Sequence, residues 1–292
     1  MGIKQRISLS SAVPLAFLVL LSLILSYNYW TEFSSAKKNS ALFELTSASL
    51  NLVHELQKER GMSAGFVGSG GRKFVKALPE QREEVDKRIE ALKEVLKGRS
   101  FSREVQESLQ TILTELERLT SIRQEVDGLS IPVARVVKFY TSINNDLIGL
   151  IASAAKNTSD VQLASRILAL KHFSYAKDLE GIKRALVSVI FSRNRLERDI
   201  LARYKEVEGR EEAFLTSFRD VSPPEYLSAY EKVTGRQEFI SALELERLAL
   251  TKESDYGVDP ERWFEVQTGK INLLKELEDY MLSDIHSLVL SI

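Results

Sequence analysis

The sequence predicts an all-α protein, helical bundles packed side by side or end on behind an N-terminal apolar helix, and three observations carry that prediction. The 14 glycines and 6 prolines make up about 7 % of the 292 residues, against about 12 % in an average chain, so turns are few. Apolar residues recur at three and four, as in Leu109, Ile112, Leu113, Leu116 and Leu119, and no strand-like alternation between turn signals stands out. The third observation is a charge-free stretch from Ile7 to Thr31, between Arg6 and Glu32.

As a helix that stretch covers about 37 Å, more than the ~30 Å hydrocarbon core of a bilayer. Residues 10–31 are therefore expected to form a transmembrane helix. Pro14 sits near its start, where a missing N–H is harmless, and Tyr27, Tyr29 and Trp30 cluster at its end like an interfacial belt. Lys4 and Arg6 precede it, which places residues 1–9 in the cytoplasm and everything after Trp30 outside. A cleaved signal peptide with its site at Ser34-Ser35-Ala36 competes with this reading; the long run and its aromatic end favour an anchor. Ser22 and Ser26 have the small-xxx-small spacing that lets two such helices approach.

Beyond Ser34, breakers fall at 68–71, Gly98, 127–132, 157–160, Gly209, 222–224, Gly235 and 254–260, leaving about eight or nine helices with short loops. The last segment starts at the N-cap candidate Asp259 with Pro260 in the first helical position. Its seam of Ile271, Leu274, Leu277, Met281, Ile285, Leu288 and Ile292 meets no closing Gly, Asn or Pro. Residues 286–292 are accordingly expected to begin an unfinished helix leading to a second membrane span, with the chain as the front part of a longer receptor.

Composition argues against several functions. Lys and Arg number 40 against 41 Asp and Glu, so no basic field collects nucleic acid, and DNA or RNA is not expected as a partner. Cysteine is absent, and His54, His172 and His286 lie far apart. Together with the lack of a Gly-rich phosphate loop or a nucleophile constellation, this leaves no catalytic residue, metal or cofactor to nominate. Trp263, Phe264, Phe139 and Tyr140 read as packing anchors, and Arg193, Arg195 and Arg198 as surface.

Two arginines stand in unusual places. The apolar stripe Leu42, Leu45, Ser49, Leu52, Leu56 runs straight into Arg60, with Gln57 one turn before it and the bare backbone of Gly61, Ala64 and Gly65 after it. A buried arginine needs a carboxylate or an anion, and Glu59 or an acid on another helix could supply the former. The second, Arg184, lies in a helix that is apolar on nearly every side. Glu180 at i,i+4 is the bland partner, while Gly181, which costs a helix about 1 kcal/mol against alanine, suggests close packing or ligand approach.

The block His54-Glu-Leu-Gln-Lys-Glu-Arg-Gly-Met-Ser-Ala-Gly-Phe66, followed by Gly70, Phe74, Gln81-Arg82 and Asp86, resembles the opening motif of the NIT domain, the nitrate- and nitrite-sensing domain of bacterial receptors. Gly181-Ile-Lys-Arg-Ala185 resembles its second motif, with Lys183 where the family has an acid. Trp263-Phe264, Thr268, Ile271 and Leu274 resemble its closing motif. The resemblance covers roughly residues 40–285 and implies a sensor domain at 34–285 made of two four-helix bundles, with Arg60 and Arg184 as ligand arginines. Planar guanidinium forks suit a planar monoanion in a way that a lysine does not. Gly61 and Gly181 belong to the same expected site. Gln57 and Ser63, one turn either side of Arg60, are candidate neutral donors on position alone.

The expected function is thus an extracytoplasmic, periplasmic sensor of a bacterial inner-membrane receptor. It would bind nitrate or nitrite between two helices, pass a helix shift across the membrane, act as a homodimer and feed an output such as chemotaxis. The alternative is a membrane-anchored helical interaction module without a small-molecule ligand, in which both arginines pair with internal acids.

Overall fold

The computed structural model describes residues 3–291 except 157 and 159, and leaves out the side chains of 3–13, 32, 35 and 154. The expectations resting on the side chains of Lys4, Arg6 and Glu32, on two positions of the 157–160 breaker and on Ile292 lie outside the described residues. Ten helices follow one another: α1 (Ile3–Gly68), α2 (Ala77–Leu96), α3 (Arg103–Glu117), α4 (Leu119–Asp127), α5 (Val133–Lys156), α6 (Val161–Arg193), α7 (Arg198–Val221), α8 (Pro224–Thr234), α9 (Gln237–Thr251) and α10 (Pro260–Ser291). Among the described residues there is no strand, only an isolated bridge between Arg195 and Ser254.

The helices form two four-rod bundles, each with one broken rod. In the first, α1, α2 and α5 pack with the α3–α4 pair; in the second, α6, α7 and α10 pack with the α8–α9 pair. The break at Arg118 has no glycine or proline behind it. Its N–H turns to the carbonyls of Glu115 and Leu116, yet the buried stripe Leu109, Ile112, Leu116, Leu119, Ile122, Val126 continues through it. Gly209 was an expected break, but nothing lies within reach of it and α7 runs through. The turn that closes α6 instead uses Asn194 in the left-handed region, a conformation asparagine adopts at modest cost. At the start of α10, Asp259 caps the N–H of Glu261 at 2.9 Å and Pro260 opens the helix as expected.

The bundles meet where α1 and α5 of the first pack on α6 and α10 of the second. One apolar core runs through both, from Leu42 on α1 to Val289 on α10, and a smaller one surrounds Trp263 between α6, α7 and α10. The N-terminal part of α1 stands outside this packing. From Pro14 its apolar side chains are exposed, and by length and composition this helix is apolar enough to cross a membrane, a test that a leader sequence also passes.

Candidate functional site

Arg60 arrives in the bundle seam because the stripe that precedes it is core: Leu42, Leu45, Leu52 and Leu56 are all buried. Its neighbour Glu59 points the other way, into the first bundle. There it takes two bonds from Arg123 at 2.8 and 2.9 Å and one from the Tyr140 hydroxyl at 2.7 Å. Arg82 and Asp86, both in the opening block, sit in this network: Asp86 takes Arg123 at 2.7 Å, and Arg82 bonds Asp127 at 2.8 Å. The neighbouring acid is therefore spoken for, and Arg60 faces α6.

There it meets Asp178, an acid on another helix, which is the partner class that the plain structural reading allowed. Arg60 Nη1 donates to Oδ2 at 3.2 Å, Nη2 lies 3.1 Å from Oδ1, and Nη2 also donates to the Asp178 carbonyl at 3.1 Å. Thr141 on α5 accepts from Nη1 at 2.8 Å. Asp178 Oδ1 takes two further bonds at 2.9 Å, from Gln57 Nε2 and Asn144 Nδ2. The carboxylate is thus buried and saturated by donors from α1 and α5.

Arg184 is treated differently. It is 2 % exposed, like Arg60. Nη1 donates to Thr268 Oγ1 at 2.8 Å, Nη2 to the Gln57 carbonyl at 3.2 Å, and the guanidinium lies 4.2 Å over the Phe264 ring. None of these partners is a carboxylate, and its Nε has no partner. Burial and then the positive charge of Arg60 pull Arg184 down to about 9. The pairing with Glu180 that helix spacing allows does not form. Glu180 turns to the far side of α6, where Gln267 donates at 2.6 Å, Lys270 lies at 2.6 Å and Lys183 at 3.2 Å. Lys183, the departure from the family pattern, also binds Glu211 at 2.9 Å and Glu246 at 3.1 Å.

Both glycines answer to the opposite arginine. A Cβ on Gly181 would stand 2.5 Å from Arg60 Nη2, and one on Gly61 would stand 2.7 Å from Arg184 Nη2 and 3.2 Å from Phe264. Each helix offers a bare patch on which the other's guanidinium lies. The other blocks converge on the same place. A Cβ on Gly65 would strike the Phe74 ring at 2.5 Å, Phe74 tilts against Phe264 at 5.1 Å, and Trp263 Nε1 donates to the Arg184 carbonyl at 2.9 Å.

Of the six residues expected at the site, Arg60, Arg184, Gln57, Gly61 and Gly181 come together. Gln57 joins both arginines, its amide to Asp178 and its carbonyl to Arg184. Ser63 is buried beside the Tyr140 hydroxyl on the Glu59 side. Asp178, Asn144 and Thr141 had not been singled out. Only the Lys177-Asp-Leu-Glu180 run hinted at an acid near Arg184, and helix spacing pointed to the wrong one of the two. His54 is buried. Burial and then Lys177 hold it down at about 2, so it is neutral.

A family model described as nitrate and nitrite sensing matches residues 51–286. The nitrate regulatory protein of Klebsiella oxytoca is 25 % identical over 242 residues, 80 % of this chain and 60 % of that protein. The chain therefore spans less than two thirds of that relative's length. The solved NasR transcription antiterminator superposes with a TM-score of 0.82 at 21 % identity, covering 93 % of this chain and 75 % of the other, a likeness of fold. These matches make the chain a sensor and not an enzyme.

They also correct the functional expectation. The relatives are a nitrate regulatory protein and a transcription antiterminator, not extracytoplasmic receptors, so the inner-membrane, periplasmic placement and the helix shift across a membrane are withdrawn. The chemotaxis and homodimer expectations came from the receptor analogy and the membrane expectation from the apolar stretch, and none of the three finds support in the relatives. The expectation of no nucleic-acid partner gains nothing from that company, since the solved protein of this fold is a transcription antiterminator. By length and composition α1 is a candidate span, which does not establish where the sensor resides.

Proposed function

We propose, from the premise that the chain belongs to the nitrate- and nitrite-sensing (NIT) family, that Arg60 and Arg184 hold nitrate or nitrite between α1 and α6. The observation that carries this reading is Arg184, a wholly buried guanidinium with an unpartnered Nε and no carboxylate among its contacts. A buried cation without a counter-charge is costly, and a small anion removes that cost. Nitrate spreads one charge over three coplanar oxygens, matching the paired N–H donors of a guanidinium edge. Phe264 closes one face of Arg184, and Gly61 and Gly181 keep the opposing backbones low. Gln57 acts as a positioning residue, tying both arginines to α1.

Both guanidiniums are 2 % exposed, so an anion enters only when α1 and α6 part. Its capture favours the closed packing, and the shift reaches α10 through Thr268 and α5 through Thr141. The chain is on this reading the anion-sensing part of a nitrate-responsive regulator. The alternative, a ligand-free interaction module, needs Arg184 to have an internal acid, and its contacts include none.

Thermal unfolding of the purified chain in nitrate, nitrite and chloride at equal ionic strength tests the proposal. A ligand at 100 times its Kd stabilises by about 2.7 kcal/mol. The expected result is a rise in Tm specific to nitrate or nitrite that Arg184→Ala abolishes. Identical curves in all three salts for a folded sample would overturn it.

A further inference from the structure

We infer that Asp178 sets the valence of the ligand: by fixing the charge of the Arg60–Arg184 pair at +1, it makes the site complete with a monoanion and closed to a dianion. This rests on the anion-site reading above and adds to it a residue that decides selectivity. The groups facing the two guanidiniums come from four helices. From α1 come Gln57 and Arg60, from α5 the neutral Thr141 and Asn144, from α6 Asp178 and Arg184, and from α10 the neutral Thr268 and Phe264. Nearby charges are already balanced elsewhere: Glu59 by Arg123, and Lys177 by Glu278 at 2.5 Å. Two buried cations and one buried anion remain.

One further negative charge brings this buried set to zero. A second leaves a net charge where solvent cannot screen it, which is the situation buried ion sites avoid. Three side chains donate to the Asp178 carboxylate, Arg60, Gln57 and Asn144, so it is held in place between the two arginines. Discrimination on this account comes from charge, beside whatever shape contributes.

The test compares nitrate, perchlorate and sulfate, the last two alike in tetrahedral shape and different in charge. With the wild-type chain, perchlorate is expected to compete with nitrate and sulfate to do so at least about 100-fold more weakly. In Asp178→Asn the preference for nitrate over sulfate is expected to fall at least about tenfold. An unchanged ratio in a folded variant would mean that shape alone selects. Should that variant fail to fold, the wild-type competition still decides: sulfate competing as well as perchlorate, or neither competing, overturns the role given to Asp178. A wild-type chain that binds neither nitrate nor nitrite fails at the earlier step, and the anion site itself falls.

Discussion

Two buried ionic clusters share helix α6, on opposite sides of one turn. Toward the first bundle lie Arg60, Asp178 and Arg184; toward α7, α9 and α10 lie Lys183 and Glu180 with Glu211, Glu246 and Lys270. Lys183 and Arg184 are adjacent in sequence. The lysine touches three carboxylates and the arginine none. The far cluster holds three acids and two lysines and reaches balance with a proton on Glu211, whose carboxyl is raised to about 9 by burial and by Glu180. The near cluster has one cation too many and reaches balance only with something from outside. The difference teaches that burying charge can serve two ends: one cluster fastens α6 to its bundle, and the other, on the anion-site proposal, is left for a ligand to complete.

Substitution breaks the comparison most sharply. Lys183→Met leaves Glu180 and Glu246 to Lys270 alone and is expected to cost ~3–5 kcal/mol in denaturant unfolding. Arg184→Met removes an unbalanced buried cation, so the nitrate-free protein should lose less than ~1.5 kcal/mol. Equal losses would mean that Arg184 is as much a structural fastener as Lys183.

The two clusters change charge in the same pH range with different readouts. Arg184 gives up its proton above about 9, so nitrate affinity should hold from pH 6 to 8 and then fall by up to about tenfold per pH unit, ~1.4 kcal/mol. Glu211 keeps a proton in the folded state that the unfolded chain loses near 4.5. At this group the native state binds more protons between about 4.5 and 9, so the contribution of Glu211 to stability declines as pH rises through that interval. Glu211→Gln should flatten that slope and leave the nitrate profile unchanged, measured by unfolding and calorimetry across pH 5–10.

The smallest effect sharpens the picture of the near cluster. Gly181→Ala improves helix propensity by up to ~1 kcal/mol, yet its Cβ takes the space of Arg60 Nη2. Stability should be kept while nitrate affinity drops about fivefold, ~1 kcal/mol. A variant binding as tightly as wild type would place the anion away from that patch.

Much of the fold was legible in the sequence because it rests on local pattern. The three-and-four stripe that ends in Arg60, the Asp259-Pro260 start and the Gly235 stop each act through their own helix. The break at Arg118 was not legible, since the buried stripe passes through it, and Gly209 misled because an exposed glycine is tolerated inside a stable helix. At the site, Arg60 and Arg184 stood out as charges within apolar faces. Asp178 did not, because its bonds reach across 118 and 121 residues to α1 and 34 to α5. Helix periodicity ranks partners on the same helix, and on that scale Glu180 is the nearer acid. Lys183, which stands where the family has an acid, serves a different face of α6 from Arg184.

The crossed arrangement of glycines and arginines has a consequence for inheritance. Gly61 lies under Arg184 and Gly181 under Arg60, so each half of the motif pair carries the clearance that the other half requires. A side chain gained at one glycine leaves its own helix intact and harms an arginine more than a hundred positions away. Neither helix can drift alone, and positions 61 and 184, like 60 and 181, are bound to vary together or stay fixed.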